Sequence, residues 1–254
     1  MTVPQHVRAT AASACGPTRT HNEDMAILGD VTVRDGNAQA EWFTADLRRP
    51  FLAAVLDGLG GHNGGAEASA RVAARLAVSA SRWAPDCSAD ALRAALIECV
   101  ADAHRELNDT GQRDASRAGM GTTCTALLFA PVGVLLTHIG DSRCYRRRDG
   151  LWKLLTEDHA VSVASGPGNS VSRLTFAIGA ALGELPSEPV SEITAVTFAG
   201  DAYLLVTDGV IAAAGDETLL ETAFDASDAA ALLDQVLQHG GPDNATAVLL
   251  EIVS

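Results

Sequence analysis

The chain has 254 residues, 47% of them hydrophobic, and a net charge of −14. That allows one sizeable core and argues against a nucleic-acid partner, because phosphate backbones are held by basic patches. No apolar run approaches the ~20 residues of a membrane span, the opening MTVPQHVRATAAS lacks the apolar stretch of a signal peptide, and the five cysteines (Cys15, Cys87, Cys99, Cys124, Cys144) form no C-x-x-C pair, so the reading is a cytoplasmic protein with reduced thiols, no zinc site and no membrane partner.

Short apolar runs at Met25–Leu28 and Phe51–Leu56 predict strands. The Ala-rich stretch 67–83 predicts a helix. Ser88 is a good N-cap for a second helix reaching about residue 108, with Leu92, Leu96, Val100, Ala103 and Leu107 along one face. Residues 108–119 are polar and read as a turn. Strands follow at 122–129, 134–139, 143–148 and 151–155, the last two joined by a hairpin turn at Arg148-Asp149-Gly150. ASGPGNS (164–170) reads as a loop by composition. Strands are predicted at 193–198 and 203–207, Ser227 caps a helix to about Gln238, and 245–253 is a last strand. Strands with short connections mean antiparallel sheets whose faces the helices must cover. With no repeat, linker or low-complexity tail, residues 1–254 read as a single α+β domain.

The stretch VLDGLGGHNGG (55–65) brings Asp57 to the tip of an apolar strand and surrounds it with glycine. The same grammar recurs at LLVTDGV (Asp208) and, in altered order, at LLTHIGDSR (Asp141). Asp243 lies in GGPDNATAV before the last strand, and Glu23-Asp24 precede the first in RTHNEDMAIL. Each alone reads as a turn acid. Together, at the ends of strands that must be buried, they point to convergence, where like charges raise each other's pKa unless a cation joins them. Carboxylates, a carbonyl freed by glycine and waters are hard ligands that suit Mg²⁺ or Mn²⁺ and not zinc. Two such ions ~3.5–4 Å apart can clamp a phosphoryl group and activate a water. Arg19, four residues before Glu23, is the candidate for gripping phosphate oxygens bidentately.

The ordered set R-x-x-N-E-D (Arg19 to Asp24), D-G-x-G-G-H-x-x-G-x-x-A-S (Asp57 to Ser69), M-G-T-T (Met120 to Thr123), G-D-S-R (Gly140 to Arg143), T-E-D-H (Thr156 to His159), T-D-G (Thr207 to Gly209) and P-D-N-A-T (Pro242 to Thr246) spans nearly the whole chain. It resembles the metal-dependent PPM-type (type 2C) serine/threonine protein phosphatases in their bacterial form. The resemblance implies a four-layer α/β/β/α sandwich, two antiparallel sheets flanked by helices, with Mn²⁺ or Mg²⁺ in a cleft at one end. It implies that Asp57 bridges two ions, that the Gly58 carbonyl completes one shell, and that Asp208 and Asp243 serve the other. Glu23 and Asp24 become near or water-mediated ligands, Asp141 a third-metal ligand shared with Asp208, and Arg19 the phosphate clamp. The implied substrate is a phosphorylated protein, and the implied counterpart a serine/threonine kinase system.

The chain also departs from the family. Leu59 stands where some members carry a His that protonates the leaving group, which leaves that task to water, and His62 reads as structural. Ala212 stands where another acid is frequent, which predicts a third ion held weakly at most. Only residues 160–173 separate His159 from Leu174, a shorter flap than usual, and Phe176 stands where Arg is common; the expectation is an altered substrate choice. Two other classes compete: a catalytically weak phosphoprotein-binding module on the same scaffold, and a serine hydrolase built on Ser142 with His138 or His159, for which no helix-opening elbow is visible. A P-loop is excluded because no G-K-[ST] occurs.

Overall fold

Three apolar clusters separated by two sheets define the architecture in the computed structural model of the chain, which describes residues 6–34, 39–60, 64–166, 169–194 and 196–253. The first half runs β1 (His6–Ala14), β2 (Met25–Leu28), β3 (Val31–Val33), β4 (Gln39–Asp46), β5 (Phe51–Leu56), β6 (Gly58–Leu59), α1 (Gly64–Ala80), α2 (Ala89–Arg113), β7 (Gly121–Thr122) and β8 (Cys124–Ala130). The second runs β9 (Gly133–Ile139), β10 (Arg143–Arg148), β11 (Leu151–Leu154), β12 (Ala160–Gly166), β13 (Asn169–Leu174), β14 (Ile178–Gly179), β15 (Val190–Thr194), β16 (Ala202–Val206), α3 (Asp208–Asp225), α4 (Ala229–Leu237) and β17 (Ala245–Val253).

One six-stranded sheet has the order β11-β10-β16-β17-β1-β4 and the other β15-β9-β8-β5-β2-β3. Their pairings are antiparallel. The strands read as unbroken apolar runs because both faces are covered. In β8, Ala126 and Leu128 join the cluster beneath α1 and α2, while Leu127 and Phe129 join the cluster between the sheets. In β16, Tyr203 and Leu205 face the other sheet, and Leu204 and Val206 pack under Val210, Leu219, Leu232 and Leu233 of α3 and α4. This period-two alternation yields the expected four layers. No helix among the described residues is long and apolar enough to cross a membrane.

Antiparallel pairing also fixes where the loops meet. Met25 opposes Leu56, Ala14 opposes Ala245, Cys124 opposes Ile139, and Val206 opposes Ala247. The chain leaves β1, β5, β9 and β16, and enters β2 and β17, at one end of the sandwich. The loops carrying Arg19, Glu23, Asp24, Asp57, Asp141, Asp208 and Asp243 are those loops.

Several sequence expectations are corrected. Helix α2 continues to Arg113, through the stretch expected to turn at 108, because its polar face is held: Arg71 of α1 donates to Thr110 Oγ1 and Glu106 Oε1 at 3.4 Å. Helix α1 begins at Gly64 and ends at Ala80, three residues earlier at each end than expected. The supposed loop at 164–170 is largely a hairpin, β12 on β13, in which Val163 faces Val171; alternating Val and Ser favour extended chain over the loop suggested by Gly, Pro and Ser. The strand expected at 193–198 is β15, Val190–Thr194. Asp228, not Ser227, caps α4, accepting from Ala231 N–H at 2.9 Å. Strands β1, β3, β4, β6 and β14 and helix α3 were not expected. The Asp149-Gly150 hairpin turn is as anticipated, both residues at positive φ (53° and 77°).

Candidate metal centre

Strand β5 is buried along its length, and the chain leaves it at Asp57. The backbone of Asp57 is fixed by its neighbour strand: its N–H donates to Thr123 Oγ1 at 2.9 Å, and its carbonyl accepts from Thr123 N–H and the Thr122 hydroxyl, both at 2.8 Å. Thr123 Oγ1 also lies 2.9 Å from Ser142 Oγ. One threonine therefore ties Asp57 to the turn that carries Asp141. Gly140, at φ 115°, opens that turn, and a Cβ there would sit 2.6 Å from Thr123 Cβ. His159 closes the turn from the other side, accepting from Gly140 N–H at 3.2 Å while its own N–H donates to the Gly140 carbonyl at 2.8 Å.

Asp208 begins α3 directly after β16. A Cβ on the next residue, Gly209, would collide with the Asn244 carbonyl, so glycine lets the Asp208 and Asp243 loops meet. The carboxylates of Asp57, Asp141 and Asp208 come within 4.8 Å of one another. Asp24 is buried beside them and accepts from the Thr207 hydroxyl at 2.8 Å. Glu23 is buried too. Both keep an oxygen, Glu23 Oε1 and Asp24 Oδ1, with no hydrogen-bond partner among the described residues. Asp243 stands outside the group of three: its Oδ2 accepts from Arg19 Nη2 at 2.6 Å, and its Oδ1 accepts from Asn244 N–H at 2.8 Å.

Electrostatics follow from this crowding. Burial, then the charges of Asp24, Asp208 and Asp141, holds Asp57 well above the usual carboxylate range. Burial and the Asp208 charge push Asp141 up to about 6. Asp208, Asp24 and Glu23 are raised as well, each chiefly by burial. Acids that resist ionisation, beside two buried oxygens without partners among the described residues, form a donor set that suits a cation. The donors are all oxygens, so the residues fit Mn²⁺ or Mg²⁺. Gly58 is required for packing more than for conformation: a Cβ would lie 2.6 Å from the Glu23 carbonyl and would also strike Gly65.

Sequence reasoning passed over Asn244. Its Oδ1 accepts from Glu23 N–H at 2.9 Å, and its Nδ2 donates to the carbonyls of Cys15 at 2.7 Å and His21 at 3.0 Å. It stitches the loop bearing Arg19 and Glu23 to the loop bearing Asp243. Its place inside P-D-N-A-T was the available signal. Asn244→Ala is expected to weaken Mn²⁺ binding about 10–100-fold, the usual cost of losing a group that orients ligands, as measured by calorimetric titration. Arg143 was also missed. It holds Asp158 (Nε 2.9 Å, Nη2 2.7 Å) and Asp216 (2.6 Å), locking the start of β10 to α3.

Ser142 is fully buried and bonded to Thr123, so it presents no nucleophile. His138 is bonded to Thr125 Oγ1 (3.0 Å) and the Glu157 carbonyl (2.8 Å), with burial pushing it down to about 4. His159 packs on it at a 39° tilt (4.6 Å between centroids), and Phe176 meets His159 edge-on at 5.3 Å. These groups buttress the Gly140 turn and do not form a serine hydrolase. Leu59 is half-buried, Ala212 is exposed, and His62 lies outside the described residues.

The sequence profile of the family Protein phosphatase 2C matches residues 34–254. The serine/threonine protein phosphatase PstP of Mycobacterium tuberculosis is 34% identical over 97% of this chain, which spans 45% of that relative's length. The serine/threonine phosphatase stp of Listeria innocua is 25% identical, over 93% of this chain and 92% of its own. Among solved structures, the M. tuberculosis phosphatase PstP/Ppp superposes with a TM-score of 0.75 at 29% identity, covering 98% of this chain and all of that one. The catalytic domain of PstP in complex with two manganese ions gives 0.73 at 29% identity, with the same coverage.

Proposed function

The chain belongs to the protein phosphatase 2C family, and on that premise we propose that it hydrolyses phosphoserine and phosphothreonine in proteins at a centre for divalent cations. The observation that carries this reading is the convergence of Asp57, Asp141 and Asp208 from three separate loops, with carboxylate oxygens within 4.8 Å. Asp57, the Gly58 carbonyl, Asp208 and Asp243 would hold two ions of Mn²⁺ or Mg²⁺. Glu23 and Asp24 would reach them through water. When bound, the ions supply a water activated for attack at neutral pH and offset the charge of the phosphoryl oxygens. A third ion at Asp141 and Asp208 would be held weakly, since Ala212 adds no ligand.

The remaining work falls to the chain's own residues. Arg19 is half-exposed at the rim and paired with Asp243; swung from that carboxylate, its fork grips two phosphate oxygens and orients the phosphorus. Leu59 offers no proton, so the departing seryl or threonyl oxygen takes one from solvent. Buried, unbridged Cys99, Cys124 and Cys144 suit a reducing cytoplasm, where a serine/threonine kinase would supply the phosphorylated proteins.

The test is phosphate release from a phosphothreonine peptide with Mn²⁺, with Mg²⁺ and with EDTA. Turnover with either ion and none with EDTA is expected; turnover that survives EDTA would overturn the reading. Arg19→Ala is expected to lower kcat/KM for that peptide about 10²-fold, through loss of a bidentate charge-assisted contact. Its Mn²⁺ affinity should be unchanged or tighter, because Asp243 is freed.

A further inference from the structure

We propose that the surface around the β10–β11 hairpin is a docking site for an acidic segment of the protein substrate, one carrying a large apolar residue beside a carboxylate. The proposal rests on the phosphatase reading for the identity of the partner. Strand β10, RCYRRR, holds four arginines in a chain of net charge −14. Arg143 is neutralised by Asp158 and Asp216. Arg148 is held by both oxygens of Asp201, at 2.7 and 2.6 Å. Arg147 is different. It makes no ion pair with any described residue, and its guanidinium lies over two rings, 5.4 Å from the centroid of Trp152 and 5.0 Å from that of Phe224. Aromatic faces steady the cation and leave its forked donors free for an anion.

Arg147 borders a cavity of about 850 Å³ lined also by Arg148, Phe198 and Phe224 and by the acids Asp149 and Asp201. Phe198 is 42% exposed and Phe224 53%. On the other side of Phe224 a cavity of about 500 Å³ opens, lined by Trp152 and Leu220 with Glu217, Glu221 and Asp225. The two sides differ in charge: the Phe198 side sets Arg147 and Arg148 against Asp149 and Asp201, while the far side of Phe224 carries three carboxylates and no cation. With Arg148 and Asp201 paired to each other, Arg147 is left to attract a carboxylate, and the three acids across Phe224 repel one, which favours the Phe198 side for an acidic segment. Apolar walls of this size exceed what a free inorganic anion would use; they suit a peptide that places an aromatic or aliphatic side chain between Phe198 and Phe224.

The patch is wired to the metal centre by geometry. Strand β10 leads away from Asp141, and α3 leads away from Asp208 to Phe224. Arg147 is six residues beyond Asp141, which at ~3.3 Å per strand residue is about 20 Å. An extended segment needs about six residues or more between the phosphorylated residue and the anchor. Such docking lowers KM through effective concentration and leaves small substrates untouched.

The experiment uses the intact chain. Binding of a fluorescein-labelled, unphosphorylated Glu-Phe-Glu-containing peptide is followed by anisotropy. In parallel, kcat/KM is compared for two phosphothreonine peptides, one with that segment about eight residues from the phosphate, a spacing that spans the ~20 Å, and one with Gly-Ser in its place. Saturable binding and a KM about tenfold lower for the acidic peptide are expected, equivalent to one decade of affinity. Both should be lost in Arg147→Glu and reduced in Phe224→Ala, with nitrophenyl phosphate turnover unchanged in each variant. Equal KM for the two peptides, or binding that persists in Arg147→Glu, would overturn the proposal. So would a dimer, by light scattering, that dissociates in Arg147→Glu, since the face would then serve a second copy. If no phosphate ester is turned over, the phosphatase reading fails, and the anisotropy arm still decides the docking site.

Discussion

Asp57→Asn is expected to lower kcat for phosphopeptide hydrolysis at saturating Mn²⁺ by about 10³-fold or more. Asp57 is the carboxylate that the others surround: burial raises its pKa first, and the charges of Asp24, Asp208 and Asp141 add to it. An amide in its place keeps the shape and the backbone bonds to Thr122 and Thr123, so the fold should survive. What is lost is the charge that would hold two cations together, and with it several kcal/mol of transition-state stabilisation, at about 1.4 kcal/mol per decade of rate. The comparison that matters is Thr123→Val. It leaves every carboxylate in place but cuts the tie between Asp57 and Ser142. It should therefore cost less than Asp57→Asn, and Thr123→Ser should restore most of the loss. Turnover in Asp57→Asn within tenfold of the parent would show that the acids are not the reacting centre.

The second large effect is on stability, and its sign is opposite to that of most acid-rich proteins. In the metal-free chain the folded-state pKa values of Asp57, Asp141, Asp208, Asp24 and Glu23 are all raised. A raised carboxylate binds more protons folded than unfolded, so stability falls as pH rises through the window between the two values. For Asp141 that window runs from 3.8 to about 6. Metal-free protein should thus melt at a lower temperature at pH 7.5 than at pH 5.5, and Mn²⁺ should remove the difference by neutralising the same charges. Asp208→Asn should raise the melting temperature of the metal-free protein at pH 7.5 by about 2–4 °C, the shift that ~1 kcal/mol gives in a chain of this size, while abolishing the gain from Mn²⁺. A metal-free protein stabilised by raising the pH from 5.5 to 7.5 would contradict this account. Active sites that trade stability for function in this way are common.

The order of the motifs carried most of the site, because the chemistry sits at strand ends that apolar runs make visible. Asp57 after FLAAVL and Asp208 after AYLLV are legible in that way. The same runs were legible as buried strands, and the four layers came only with the family resemblance. What escaped was small or broken. Strand β1 is mostly Ala, Thr and Ser, since it is squeezed between β17 and β4 with a sheet on one side and helices on the other. Helix α3 begins on a functional acid, is rich in Ala, and is interrupted at Gly215 (φ 71°, ψ 168°), so no helical period stands out. Asn244 and Thr123 lie inside P-D-N-A-T and M-G-T-T, but those motifs do not say what the two side chains hold. Their importance lies in bonds to residues far away in sequence, which only the folded chain brings within reach.

The most direct test of the central claim is a calorimetric titration of EDTA-stripped protein with Mn²⁺ at pH 7.5 in two buffers of different ionisation enthalpy, with phosphopeptide turnover assayed at each point. Because burial and like charge raise Asp57 and Asp208 in the metal-free state, binding should release protons, and the observed heat should differ between the buffers. About two ions should bind, turnover should rise with their occupancy, and Asp57→Asn should abolish both. Occupancy without turnover would leave a scaffold that binds phosphoproteins and does not cleave them. Turnover in the stripped protein, or Mn²⁺ binding unchanged by Asp57→Asn, would contradict the claim that these carboxylates form the catalytic metal centre.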